Sequence, residues 1–405
     1  MEKRFLVTDY GAKPDIHELQ TERLQAVFDL CRDGGGTVVI PKGRFLTGGL
    51  RMWSDTTLYL ESGAALIGSD ICEDYAVFDV PAGVELRTDM ELITQYYKIP
   101  WKEYRRAILS VYGGKNISVI GEPGSVIDGQ DCADPHGEEG YRGPHGVFFT
   151  NVKNITLRGY TIQDCGNFMH QIDNCSHIRM NDVVCQGGSD GIHLHHCKDT
   201  IIEKCVFHTG DDCVAGINAE NLIVRDCEMN TSCQLFRMGG EGILVENCRM
   251  WGPGIYPHRM TVVQNRWTEL VRDRANTLPR ECGRHNMIAL WQHFASTNFP
   301  FPHPYRDVTI RNCVVENVDK FMNYHADGGT LESGTYLEDI RLENVTFTDL
   351  GGYSLVEAAP SVPLTVHMKN VRFSCREGAE LTGLFDGKDR NTIIVEEESA
   401  GQPND

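Results

Sequence analysis

The feature that most restricts how this chain can fold is a short pattern that returns at a nearly constant interval. It reads apolar-x-apolar-x-(Asn/Asp/Gly/Lys)-(Cys/Val) and starts at Ile155, Ile178, Thr200, Leu222 and Ile243, at intervals of 23, 22, 22 and 21 residues. It returns at Val308, Ile340 and Val366, with weaker copies at Leu58 and Ile117. A repeat this short cannot close a core by itself and must stack on its neighbours. Leucine-rich repeats share the length, but the leucine spacing they need is absent. The pattern predicts an all-β solenoid, a parallel β-helix whose coils pair about 4.8 Å apart. Equal offsets then form columns. Cys205, Cys227, Cys248 and Cys313 share the sixth position, so a column of small buried thiols is expected. No CxxC pair points to metal or redox chemistry.

An open solenoid needs covering at its ends. Leu24, Val27, Phe28 and Cys31 fall at i, i+3, i+4 and i+7, which predicts a short helix capping the N-terminal end. Gly34-Gly35-Gly36 should stop it before a strand at Thr37–Ile40. The 405 residues, with 41 glycines, are read as a single β-helix domain over 1–405, and the polar residues 397–405 as a disordered tail. A formal charge of −19 argues against nucleic acid or an anionic membrane as partner. No segment approaches the roughly 18 apolar residues of a membrane helix. Met1-Glu2-Lys3-Arg4 runs straight into Phe5-Leu6-Val7 without the apolar stretch of a signal peptide. A cytoplasmic protein with fifteen reduced cysteines is expected.

Three stretches break the period, residues 83–104, 131–146 and 259–304, and are expected to be long loops lining a cleft. The last carries Arg259, Arg266, Arg272, Arg274, Arg280 and Arg284 with Trp267, Trp291, Phe294 and Phe299. The repeat offsets also align acids. Asp190 lies 12 residues after Ile178 and Asp212 lies 12 after Thr200, with Asp211 beside it. Both acids sit in glycine-flanked turns, so each coil should set its acid over the next. Carboxylates so close repel, and a core would not tolerate them uncompensated. Singly, each could cap a turn. Together they suit either a cation site of the Ca²⁺ kind or glycoside hydrolysis. In the latter, repulsion leaves a proton on one carboxyl while another stays charged.

The runs Thr8-Asp9-Tyr10-Gly11-Ala12-Lys13, Gly34 to Pro41, Leu58 to Ala64, Gly124 to Gly129 and the block Phe149 to Cys248 resemble the polygalacturonase family, glycoside hydrolase family 28. Its second acidic motif, Gly-Asp-Asp, matches Gly210-Asp211-Asp212 fully; its first, Asn-Thr-Asp, matches Gly188-Ser189-Asp190 only at the aspartate. The resemblance implies a right-handed parallel β-helix. It also implies Asp211 as general acid, with Asp190 and Asp212 activating water from the opposite face, so that the linkage is hydrolysed with inversion and without a cofactor.

Two family motifs are missing. Gly-His-Gly falls on Ser232-Cys233-Gln234, and Arg-Ile-Lys, which grips a substrate carboxylate, falls on Tyr256-Pro257-His258. Arg237, Arg259 or Arg266 would have to replace the lost cation, or a neutral or deoxy sugar is bound through Tyr256, His258 and the tryptophans. The substrate-binding candidates are His170, His193, His208, Cys233, Gln234, Arg237, Tyr256, His258, Arg259 and Trp291. His193, His195, His196 and His208 crowd the same coils without a metal-ligand spacing, so no metal is expected. The leading expectation is an inverting, exo-acting hydrolase of plant-derived pectic oligosaccharides. A Ca²⁺-dependent β-helix lyase or epimerase, and a non-catalytic carbohydrate-binding solenoid, are the alternatives.

Overall fold

The computed structural model describes residues 3–87, 101–258, 288–326, 334–351, 355–376 and 393–398. Each central coil gives two short strands to one large parallel sheet and one to a smaller sheet. Strands His170–Asp173, Ser176–Asn181 and Val184–Gly187 form one such coil, and Ile192–His195, Lys198–Glu203 and Val206–Thr209 the next.

The repeat read from the sequence is the register of the coils. Ile117 pairs with Ile155, Ile155 with Ile178, Ile178 with Thr200, Thr200 with Leu222, Leu222 with Ile243 and Ile243 with Val308. Ile340 pairs with Val366. The weak copy at Leu58 is two residues out of phase, since Leu58 pairs with Val119. Strand alternation turns Ile178, Met180, Leu222, Val224, Ile243 and Val245 inward, where all are buried. Each such burial contributes about 1.5–3 kcal/mol.

The fifth and sixth repeat positions turn the chain. Asp226, Asn247, Asn312, Asn344 and Asn370 have φ between 51° and 56°, the left-handed region that Asn and Asp tolerate best. Their side chains stack: Asn247, Asn312, Asn344 and Asn370 each donate Nδ2 to the Oδ1 one coil earlier, at 3.2, 3.4, 3.0 and 2.9 Å. The expected cysteine column is present. Cys205, Cys227, Cys248 and Cys313 donate Sγ–H to the carbonyls of Glu203, Arg225, Glu246 and Arg311 at 3.1–3.3 Å. The fourteen described cysteines are all free.

A helix, Thr21–Asp29, buries Leu24, Val27 and Phe28 in the main core, as the periodicity predicts. Gly36–Ile40 follows as a strand. Two expectations need correcting. The 259–304 interruption is shorter than its sequence suggests, because Ala289–His293 returns as a regular strand in register with Gln234–Glu246. Residues 397 and 398, expected in a disordered tail, are instead in a strand, because Ile393–Glu398 pairs along Leu364–Lys369. Residues 259–287 and 399–405 lie outside the described part. Among the described residues no helix is long and apolar enough to cross a membrane.

Candidate active site

Coil stacking brings the three acids together. Ile192 pairs with Val214 and Val214 with Phe236, so Asp190, Asp212 and Gln234 occupy one column. The Asp212 N–H is shared by Asp190 Oδ1 at 3.2 Å and Asp211 Oδ1 at 3.1 Å. Gln234 N–H donates to Asp212 Oδ1 at 3.0 Å. The Asp211 carbonyl accepts the hydroxyls of Thr209 and Thr231 at 2.7 and 2.6 Å, which fixes the bend. One carboxyl oxygen from each acid lies within 4.8 Å of the others. The trio is nearly enclosed: Asp211 is 5% exposed, Asp190 and Asp212 1% each.

Two guanidinium groups and an imidazole surround these acids, and two of the three meet on one carboxyl oxygen. Arg142 Nη2 lies 2.7 Å from Asp211 Oδ2, and His258 Nε2 lies 3.0 Å from the same oxygen. Arg237 Nη1 stands 3.9 Å from Asp212 Oδ2, its guanidinium 4.4 Å from the Phe294 ring centre. Arg237 Nε and Asp212 Oδ2 are buried without a hydrogen-bond partner. These contacts split the acids. Burial pushes Asp190 well above the usual carboxylate range, with Asp211 and Asp212 adding to it. Burial and then Asp211 push Asp212 up to about 7. Burial works the same way on Asp211, but His258 and Arg142 outweigh it and hold this carboxyl well below its ordinary value.

His193 and His195 project from one face of Ile192–His195, opposite the inward Ile192 and Leu194. His193 Nδ1 is 3.1 Å from Asp190 Oδ2, and its ring packs 4.4 Å from Phe168. Burial, then His195 and Arg237, hold His193 well below the usual imidazole range. The Cys233 thiol lies beside Asp212 and acts to lower that carboxyl, against the larger effect of burial. Gln234 accepts Ala289 N–H on Oε1 at 2.9 Å, so its amide braces the next coil. Tyr256 is half-buried, and its carbonyl accepts Ser232 Oγ at 2.7 Å.

Three candidates fall elsewhere. His170 is a core residue, fully buried, bonded to Tyr160 Oη at 2.8 Å and to the Gly191 carbonyl at 2.9 Å. Trp291 is also fully buried, stacked on Phe236 with centroids 5.9 Å apart, because its strand turns it inward. His208 points outward from the smaller sheet toward Glu228, 3.5 Å away, and Trp251. Arg259 and Arg266 lie outside the described residues. Arg142 was not among the sequence candidates; the only signal for it was its place in the aperiodic stretch 131–146.

Asp211, Cys233 and His258 also bring donor atoms within 4.8 Å of one another. The Arg142 guanidinium on the same Asp211 oxygen opposes a second cation there. The arrangement is instead suited to moving protons: carboxyls of divided affinity, an imidazole in contact with one of them, and a guanidinium, Arg237, facing another from 3.9 Å.

The profile of Glycosyl hydrolases family 28 matches residues 79–235, a span that contains the trio and Arg142 but stops short of Arg237 and His258. The chain is 26% identical over 255 residues to an exo-poly-alpha-D-galacturonosidase of Dickeya chrysanthemi, covering 51% of this chain and 41% of that one. It is 22% identical over 345 residues to an exopolygalacturonase of Arabidopsis thaliana, covering 83% of this chain and 61% of the relative. The chain thus spans roughly half the length of these relatives. In fold it is similar to a hyperthermoactive exopolygalacturonase of Thermotoga maritima, with TM-score 0.68, 15% identity, and 98% and 92% of the two chains covered. It is also similar to a family 28 exopolygalacturonase of Yersinia enterocolitica, with TM-score 0.67, 17% identity, and 100% and 80% covered. The expected β-helix of the polygalacturonase type is thereby borne out.

Proposed function

We propose that this chain, similar through residues 79–235 to glycosyl hydrolases family 28, is a glycoside hydrolase of the polygalacturonase type that trims pectic oligosaccharides from one end. The observation that carries the reading is the convergence of Asp190, Asp211 and Asp212 on one point beside Arg142, Arg237 and His258. Water attacks the anomeric carbon, its proton passing to the Asp190–Asp212 pair. The glycosidic C–O bond breaks as the leaving oxygen takes a proton from the Asp211 side. Inversion is carried over from the family resemblance. The trio's nearest oxygens lie closer together than the roughly 6.5–9.5 Å usual for paired inverting carboxyls. Asp190 and Asp212 would therefore hold the water jointly, from one side.

Exo action is supported by a wall on the N-terminal coils. Tyr104, Tyr112 and Phe148 pack with Phe78, Val80 and Leu86 over the outer face of the large sheet. His145 and Phe168 extend this wall to His193, with centroids 5.6 and 4.4 Å apart. Among the described residues this wall stands on the N-terminal side of the trio, where it would stop a sugar chain. The unpaired cysteines support a reducing, cytoplasmic setting in which imported oligomers are met.

Base duty requires Asp212 ionised, and its carboxyl is pushed up to about 7. Activity should therefore fall as pH drops through about 7, not through the usual carboxylate value near 4. A kcat/KM profile on oligogalacturonide checks this, and full activity at pH 5 contradicts it. Arg237 offers the one described cation of the site that faces an acid without hydrogen-bonding it, and suits a uronate carboxylate. Arg237→Met should reduce kcat/KM for oligogalacturonide about 10–100-fold while sparing its methyl ester. Equal loss on both substrates would remove carboxylate recognition from Arg237. The direct test of the function is sugar release from a panel of pectic and neutral plant oligosaccharides, read by mass spectrometry.

A further inference from the structure

We infer that His258 stands in, from a different coil, for the histidine missing at Ser232-Cys233-Gln234, acting as the positioning residue that shares a proton with Asp211. The inference rests on the hydrolase reading above. Its starting point is a conflict inside the site. If Asp211 is to protonate a leaving group it must carry a proton, yet Arg142 sits 2.7 Å from its Oδ2 and favours the ionised form. Arg142 cannot release a proton itself. The imidazole of His258, 3.0 Å from that same oxygen, can.

The local structure places His258 there firmly. Asn230 donates Nδ2 to the carbonyls of Trp251 and Pro253, both at 3.2 Å, and accepts Ile255 N–H on Oδ1 at 2.6 Å. Ser232 holds the Tyr256 carbonyl at 2.7 Å. The turn 252–258 is thus fastened to the coil that carries Cys233. Gly210 lets the Pro257 carbonyl approach: a Cβ at 210 would lie 2.2 Å from it. A thiol at 233 is smaller than an imidazole, and Cys233 Sγ, the His258 ring and the Asp211 carboxyl share one cluster within 4.8 Å. Side chain 233 leaves the room that His258 fills. One imidazole serves in place of another, delivered by the segment where the Arg-Ile-Lys motif would fall.

The step balances. The Nε2 proton of protonated His258 moves to the ionised Asp211 carboxyl, which passes a proton to the glycosidic oxygen. The C–O bonding pair stays with that oxygen, and neutral His258 is reprotonated from solvent. Among the described residues, Asp211, Asp212, Cys233 and Arg142 are titratable and charged groups that the imidazole faces.

Two measurements test this. In His258→Gln, whose amide can still donate to Asp211, kcat should fall about 10²-fold with KM nearly unchanged, and the alkaline limb of the pH–rate profile should move. A wild-type kcat and profile in that variant overturns the inference, because a structural donor would suffice. Independently of activity, the ¹⁵N and N–H resonances of the His258 imidazole should move in Asp211→Asn, because the charged acceptor 3.0 Å away is lost. Unchanged resonances overturn the pairing. Should wild type release no sugar, the hydrolase reading fails, while the resonances still judge the His258–Asp211 pair.

Discussion

Asp211→Asn is expected to lower kcat on oligogalacturonide by about 10³–10⁴-fold while leaving the protein folded. The amide keeps the shape of the carboxyl and can still accept from Arg142 and His258, but it cannot pass a proton to a leaving oxygen. Losing the negative charge weakens the ion pair with Arg142 at 2.7 Å and the contact with His258 at 3.0 Å. It also relieves the repulsion that raises Asp190 and Asp212. These changes oppose one another, so circular dichroism and Tm should stay close to wild type. Near-normal turnover in this variant would take Asp211 out of the chemistry.

The second large effect belongs to a residue without a side chain. In Gly210→Ala the new Cβ would lie 2.2 Å from the Pro257 oxygen, 2.6 Å from its carbonyl carbon and 2.9 Å from Gly188 Cα. All three are backbone atoms, so nothing can swing aside. The turn bearing His258 has to shift by about 1 Å, a displacement that costs on the order of 10²-fold in rate when catalytic groups are involved. Overpacking should also cost about 1–3 kcal/mol of stability. Gly34→Ala is the control, since its Cβ meets only Lys3 Nζ, at 3.6 Å. Full activity and wild-type Tm in Gly210→Ala would show that the glycine of the Gly-Asp-Asp run is not held by that contact.

The sequence was most legible where one residue type meets one local demand. Asn or Asp at the fifth repeat position answers a left-handed turn, and the sixth-position thiol fits a narrow interior, so the phase of the coils could be read directly. Leu58 reads two residues out because its turn lacks both signals: Leu60-Glu61 stand where Asn-Cys would. The acid column followed from the same phase. Contacts that cross coils through irregular segments were not legible. Arg142 reaches Asp211 across 69 residues, and His258 depends on the approach of Pro257 to Gly210. Trp291 reads as a loop residue in the sequence because Ala289–His293 lacks the Asn-Cys ending and follows a long interruption. His170 could have been placed correctly, since alternation along His170–Asp173 sets it on the same side as the inward Ile172.

The central claim is that three acids on adjacent coils hydrolyse one glycosidic bond, with water entering on the Asp190–Asp212 side. The most direct measurement is proton NMR of the first sugar released from an α-linked trigalacturonate. The account expects monomeric galacturonate appearing first as the β-anomer. First-formed α-anomer, or a product carrying the ultraviolet absorbance of an unsaturated uronate, would contradict it.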